Sequence, residues 1–349
     1  MSKYKIGIWG QFGDGGKIAD GQAVRTTIIT QEVKARYGEE NVLVVNTNNW
    51  KKHPFRFLRN TIRLNRLCDK VVIFPADNGF KVGVPLFDFF NRFFKKEMID
   101  VVIGGYLPGL LKEKSMYINI LKKYKALFVQ TKNLKADLEV FGFENIRMLT
   151  NLKRLNTVKA DEMQMNTDEC VKVCTLSRIN EDKGIAYAIE AVKKANAALG
   201  GKYISLDIYG IPAEDYRETF ELLLKENGDF VTYGGVLDFD KTTETLKDYF
   251  AMLFPTFYYG EGFPGNVVDA YNAGLPMIAT DWLYNKDVIE NGKNGVLVPI
   301  RDADSLCNAI LSLYNDRKRS FEYSMNNICE AERYKPDQVL AEFYEVLEM

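Results

Sequence analysis

The 349-residue chain is predicted to be an α/β protein made of two doubly wound domains, each with a parallel sheet. Three observations predict this. Short apolar runs alternate with helical stretches, as in successive βαβ units. The alternation breaks once, at a polar, patternless stretch from Leu152 to Glu169, and then resumes. The length suits two domains of roughly 100–200 residues each. We place a first domain at 1–152, joined by a terminal helix at 334–349, and a second at 169–333.

In the first half, Tyr4 to Trp9 reads as a strand and leads into a glycine-rich loop through Gly13, Gly15, Gly16 and Gly21. Two phosphate-binding motifs fail there. A Walker A loop needs glycine where Gln11 stands and Ser or Thr where Ile18 stands. The dinucleotide fingerprint GxGxxG also meets Ile18 at its third glycine. What remains is flexible backbone ahead of a helix N-terminus, suited to close approach by a ligand or to a plain βα turn.

Gln22 to Tyr37 has Val24, Ile28, Ile29 and Val33 on one helical face, and Gly38 stops it. Asn41 to Asn46 is the next strand. From Lys51 to Lys70 come seven Lys and Arg against the single Asp69. Arg56, Arg59, Arg63, Arg66 and Lys70 fall on one helical stripe, opposite Phe57, Thr61, Leu64 and Cys68. After a strand at Val71 to Pro75 and a turn at Asp77-Asn78-Gly79, Leu86 to Lys96 packs five phenylalanines among basic residues. That composition fits either an interfacial amphipathic helix or a core aromatic face. Strands follow at Ile99 to Ile103, Ala126 to Gln130 and Asn145 to Leu149, with a helix at Asn133 to Phe141.

The second half reads as strands at Val171 to Leu176, Ile204 to Tyr209 and Phe230 to Tyr233, and helices at Ile185 to Leu199, Tyr216 to Glu226 and around Thr243 to Tyr249. Its most informative stretch is Phe254 to Asp281. An apolar run opens it, a loop with Gly260, Gly262, Pro264 and Gly265 follows, and a helix at Asn266 to Asn272 leads into a strand at Pro276 to Thr280. Ligands of open α/β sheets sit at carboxyl ends of strands, where this loop belongs. Glu261 lies in the loop, and Asp269 lies about two helical turns into the helix. A strand at Val296 to Pro299, a helix at Ala303 to Tyr314 and an amphipathic tail from Pro336 complete the chain.

Composition narrows the chemistry. The single histidine, His53, leaves almost no material for Ser-His or His-metal chemistry, and a structural zinc site is excluded. The five cysteines lack CxxC spacing and read as reduced thiols. No uninterrupted apolar run of ~18 residues is found, and no cleaved signal is indicated. Net charge is −1 overall, yet 1–150 is strongly basic and 151–349 strongly acidic. Such a division suggests two domains facing different partners, one of them anionic.

Ser177-Arg178-Ile-Asn-Glu-Asp-Lys183-Gly184 follows a strand and opens a helix, supplying two cations beside a helix N-terminus. Arg can clamp phosphate oxygens in a fork and Lys acts as a point charge. Carboxylates on a neighbouring loop and helix can accept hydrogen bonds from vicinal hydroxyls. Cations for a diphosphate and acceptors for sugar hydroxyls together describe a nucleotide sugar.

The combination of SRINEDKG, EGFPGNVVDAYNAGLPMIATD and Asp287-Val-Ile-Glu-Asn-Gly-Lys-Asn-Gly-Val-Leu-Val resembles the donor domain of retaining glycosyltransferases of family 4. The resemblance implies the GT-B fold, two Rossmann-like domains across a cleft with the C-terminal helix crossing back to the first. It implies that Arg178 and Lys183 hold the donor diphosphate in place of a metal, so no metal or cofactor is expected. Glu261 would contact the hexose, and the amides of Phe263, Gly265, Asn266 and Val267 would line sugar and phosphate. Asp269 stands where the family has a glutamate for the ribose, the base would be read near Gly235-Val236, and the loop from Gly13 to Gly21 would face diphosphate and acceptor. Where many relatives carry a histidine, this chain has Ile103-Gly104-Gly105-Tyr106. The implied activity is retaining transfer of a hexose from a UDP- or GDP-linked donor to a glycan or lipid-linked acceptor, in the cytoplasm. An anionic membrane surface would meet Arg56, Arg59, Arg63, Arg66 and Lys70, and no nucleic acid is a partner. A catalytically silent nucleotide-sugar-binding subunit and a sugar-nucleotide epimerase remain the alternatives.

Overall fold

Parallel strands need crossover connections, and in this chain each strand feeds a helix or turn before the next strand begins. A computed structural model describes residues 3–12 and 21–349. Among these, strands form two six-stranded sheets, and every pairing is parallel. The chain divides into two units, one of residues 1–152 with 336–349 and the other of residues 153–335. All but Leu152 of the stretch from Leu152 to Glu169, whose lack of pattern marks it as the linker between domains, therefore belongs to the second unit.

In the first unit the strands are β1 (Tyr4–Gly10), β2 (Val42–Asn46), β3 (Cys68–Phe74), β4 (Glu97–Val101), β5 (Ala126–Val129) and β6 (Ile146–Met148), in the order β2-β1-β3-β4-β5-β6. The helices are α1 (Gly21–Tyr37), α2 (Pro54–Leu67), α3 (Asp77–Phe94), α4 (Leu107–Glu113), α5 (Met116–Leu121) and α6 (Lys132–Glu139). Crossovers of this kind are right-handed. The connection β1 to β2 runs one way along the sheet and those from β2 onward run the other, so α1 covers one face while α2 and α3 lie side by side on the opposite one. Ile8, Val72, Ile99 and Phe128 are buried between those layers. Arg25 of α1 is also buried and donates to the carbonyls of Val102 (3.3 Å) and Leu149 (2.5 Å), tying the carboxyl ends of the sheet together. Desolvation lowers its pKa to about 9.

Two sequence expectations are corrected in this unit. Asp77-Asn78-Gly79 is no turn but the first turn of α3, where an aspartate suits the positive end of the helix. The arginine stripe ends at Arg66, because α2 stops at Leu67 and Cys68 opens β3. Lys70 therefore sits in a strand, where it donates to the Leu347 carbonyl (2.6 Å) and pairs with Glu97 (3.2 Å). The predicted loop from 13 to 20, including Gly13, lies outside the described residues, and Gly21 opens α1.

The chain returns to this unit at its end, through α13 (Pro336–Val339) and α14 (Ala341–Glu348). Leu340, Phe343, Val346 and Leu347 are buried there, and the Phe343 ring meets Phe128 edge-on at 5.2 Å. Arg36 seals the outer end by pairing with Glu348 (2.7 Å) while stacking on Tyr344.

The second unit has β7 (Val171–Leu176), β8 (Ile204–Tyr209), β9 (Val231–Gly235), β10 (Ala251–Phe254), β11 (Met277–Thr280) and β12 (Gly295–Val298). They are ordered β12-β11-β10-β7-β8-β9. Its helices are α7 (Ile185–Leu199), α8 (Arg217–Asn227), α9 (Thr242–Leu246), α10 (Gly265–Asn272), α11 (Ala303–Asn315) and α12 (Arg317–Ala331). The last was not predicted. β10 and β11 are buried along their whole length, the pattern of strands covered on both faces. The strand order reverses direction between β7 and β10, and a crevice opens at the carboxyl ends of strands at such a point.

Candidate donor site

β7 ends at Leu176 and delivers Ser177 to Gly184; β10 ends at Phe254 and delivers Pro255 to Pro264. Both segments thus leave the sheet at its switch point, and they are tied together. The Phe257 amide donates to the Asp182 carbonyl at 2.8 Å. Asn180 caps the short turn before α7 by accepting from the Lys183 amide at 3.2 Å. Gly184 then takes the left-handed conformation (φ 71°), and a Cβ there would lie 2.1 Å from the Pro255 carbonyl oxygen. Only glycine lets the two segments pass this closely.

The result brings two expected site residues into contact. The Lys183 ammonium donates to Glu261 Oε2 at 2.5 Å, and the Thr256 hydroxyl donates to the same oxygen at 2.9 Å. Both charged side chains are largely buried. The ammonium also lies 5.5 Å from the Phe254 ring centroid and 5.0 Å from that of Tyr258, an arrangement that favours a cation. Burial pushes the Tyr258 hydroxyl up to about 12, helped by Tyr259 and the Glu261 charge and opposed by Arg178. Arg178, itself exposed, therefore adds positive potential at the same phenol. The cluster is one carboxylate, two cations and a hydroxyl at the mouth of the switch point.

The loop between Glu261 and α10 turns inward. Phe263 is buried against Tyr334, with ring centroids 5.2 Å apart, so only its backbone can face a ligand. Asn266 donates to the Leu176 carbonyl at 2.9 Å, pinning the start of α10 to the end of β7. Gly265 opens the helix, and Val267 is packed in the core. Val236 lies just past β9 and is exposed. Gly235 before it adopts φ 79° and accepts from Gly210.

Asp269 has a different setting from Glu261. It is 3% exposed, its carboxylate receives the Lys153 ammonium at 3.0 Å, and it accepts the Thr242 hydroxyl at 2.6 Å. Lys153 is itself buried and begins the second unit. The linker continues along α10, where the Thr157 hydroxyl and the Val158 amide both bond to Asn272, at 2.7 and 2.8 Å. The Asp269 carboxylate thus already holds two donors, and its burial leaves little surface for a ribose contact. Lys153, Thr242 and Thr256 were not singled out from the sequence. No apolar period marks them, and their partners are distant in the chain or in a loop.

Residues 170–316 match the family model of glycosyl transferases group 1. Among curated proteins, the chain is 28% identical over 183 residues to the UDP-N-acetylglucosamine–peptide N-acetylglucosaminyltransferase GtfA subunit of Streptococcus gordonii, covering 50% of this chain and 34% of that protein. The chain spans about a third of the length of the first curated relatives it matches. Two solved structures resemble it over nearly its whole length. Anabaena HepE in complex with UDP-glucose superposes with a TM-score of 0.76 at 13% identity, covering 99% of each chain. Sucrose-phosphate synthase from Thermosynechococcus elongatus gives 0.77 at 14% identity, covering 99% of this chain and 98% of the other. The chain thus has the GT-B fold, and residues 170–316 of its second unit match the glycosyl transferases group 1 model.

Proposed function

We propose that the chain is a glycosyltransferase that moves a hexose from a nucleotide-diphosphate sugar, with retention of configuration and without a metal. The observation that carries this reading is the buried Lys183–Glu261 pair at the switch point of the second sheet, with Arg178 beside it. A donor diphosphate would take Lys183 and Arg178 as its counter-charges. Glu261, released from Lys183 but still held by Thr256, would then accept from the hexose hydroxyls. Fixed cations aimed at the leaving phosphate stabilise charge as it develops, the kind of effect that supplies a large share of enzymatic rate enhancement.

UDP is the nucleotide to test first, because HepE was solved with UDP-glucose and the curated relative is named for UDP-N-acetylglucosamine. The acceptor in this reading is a glycan or a lipid-linked sugar at the cytoplasmic face of a membrane, approached through the arginines of α2. No described helix is long and apolar enough to cross a membrane.

The test is donor binding and turnover by the full chain. Isothermal titration with UDP and GDP and their sugars should give saturable binding by one nucleotide class. Glu261→Ala should retain nucleotide binding while losing transfer and donor hydrolysis by at least about 10²-fold. Lys183→Ala should weaken both. Binding without any turnover by the wild-type chain would favour a silent binding subunit, and absence of binding by every nucleotide would overturn the assignment.

A further inference from the structure

Two helices on one face of the first unit carry rows of side chains that the fold leaves uncovered. α2 has no acidic residue, and Arg56, Arg59, Arg63 and Arg66 are all exposed. At its start Phe55 is 88% exposed, and Leu58 is exposed one turn on. α3 buries Phe80, Val84 and Phe87 against the sheet. Its opposite side carries exposed Val82, Phe89 and Phe93 with half-buried Leu86 between them, spaced by four, three and four residues, so they form one outward row. Phe89 is 53% exposed and Phe93 70%, and their rings meet edge-on at 5.8 Å. Large aromatics held in this way, outside any core, mark an interaction surface.

The surroundings of that row select the partner. The aromatic row lies on the helix packed beside α2, which bears four arginines and no acid. Asp88, the acid on α3 nearest the rings, is occupied by Arg92 (3.2 Å) and Lys123 (2.8 Å). Cationic side chains beside phenylalanines suit a headgroup layer of negative phosphates lying over hydrocarbon. We propose that Phe89 and Phe93 of α3, with Phe55 of α2, enter the acyl boundary of an anionic leaflet that the α2 arginines attract. The inference rests on the membrane reading above and is independent of the donor chemistry. It replaces purely electrostatic attraction by anchoring, which salt cannot screen.

Vesicle flotation of the full chain tests it, using pure phosphatidylcholine and an equimolar mixture with phosphatidylglycerol, at low and high salt. The wild type is expected to float with the mixed vesicles and to stay partly bound at high salt. Phe89→Ser/Phe93→Ser should bind only at low salt, with partitioning reduced by at least about tenfold. Arg59→Glu/Arg63→Glu/Arg66→Glu should lose binding at low salt and approach the wild type's residual binding at high salt, where charges of either sign are screened. Unchanged circular dichroism and nucleotide binding would show that both variants fold. A phenylalanine variant that floats like the wild type in high salt would overturn the anchor while leaving the arginine attraction standing. A wild type that never floats, or that forms a larger species in solution through this face, would overturn both.

Discussion

Glu261 and Asp100 show how differently one kind of group behaves in two buried settings. Glu261 meets an ammonium and a hydroxyl. Asp100 of β4 is fully buried, and among the described residues neither of its oxygens has a hydrogen-bond partner. Desolvation therefore raises its carboxyl well above the usual range. The folded chain keeps a proton that the unfolded chain releases above a pH of about 4. The stability associated with Asp100 is thus present at low pH and is lost as pH rises towards the folded pKa. Asp100→Asn keeps the neutral shape, and we expect it to stabilise the first unit at pH 8 by roughly 1–3 kcal/mol, with little effect at pH 4. Urea unfolding at the two pH values checks this, and an equal effect at both would count against it. Nothing in the sequence distinguished Asp100 from other strand residues, because a carboxylate at an inward position looks like any alternation error until its surroundings are known.

At the scale of elements, the buried pair Lys153–Asp269 fastens the entry of the second unit to α10. Removing one partner from such a pair typically costs about 3–5 kcal/mol, because the other charge is left uncompensated. Lys153→Met should therefore destabilise the second unit by about that amount, whereas Lys153→Met combined with Asp269→Leu should recover much of it. Chemical denaturation of the three variants gives the comparison. A double variant as unstable as the sum of the singles would mean that the two residues act independently. If Asp269 serves mainly to seat α10, Asp269→Asn should raise KM for the donor and leave the nucleotide class unchanged. The strands of this unit were legible because buried parallel strands are near-continuous apolar runs, and β7, α7 and β8 lie where the periodicity put them. The packing of 153–158 on α10 was not legible, since a stretch without period carries no sign of what it will pack against. α12 escaped for a related reason: Arg317–Ala331 is largely polar, and tertiary contacts rather than an apolar stripe hold it helical.

For the whole molecule, the first unit depends on the last residues of the chain. Phe343 is buried against Phe128, and Leu340, Val346 and Leu347 are buried beside it. Phe343→Ala should cost about 3–5 kcal/mol. The loss should appear in the unfolding of the first unit, leaving the second unit's transition in place, as calorimetry can resolve. Equal losses in both transitions would contradict the assignment of 336–349 to the first unit. The amphipathic tail and its destination were expected from the pattern and the resemblance. The arginine stripe was legible as far as Arg66, and it failed at Lys70 because helical spacing was extended past the point where the chain enters β3.

The discontinuity of the first unit also sets an order of events during synthesis. Residues 153–335 stand between its two pieces, so a ribosome adding about 5–20 residues per second takes roughly 10–40 s to pass from one piece to the other. Throughout that interval the sheet surface around Phe128 lacks its cover, while the second unit is emerging and can close its own core. The growing chain must therefore carry an incomplete first unit until α14 emerges, and chaperone dependence should be concentrated in that window.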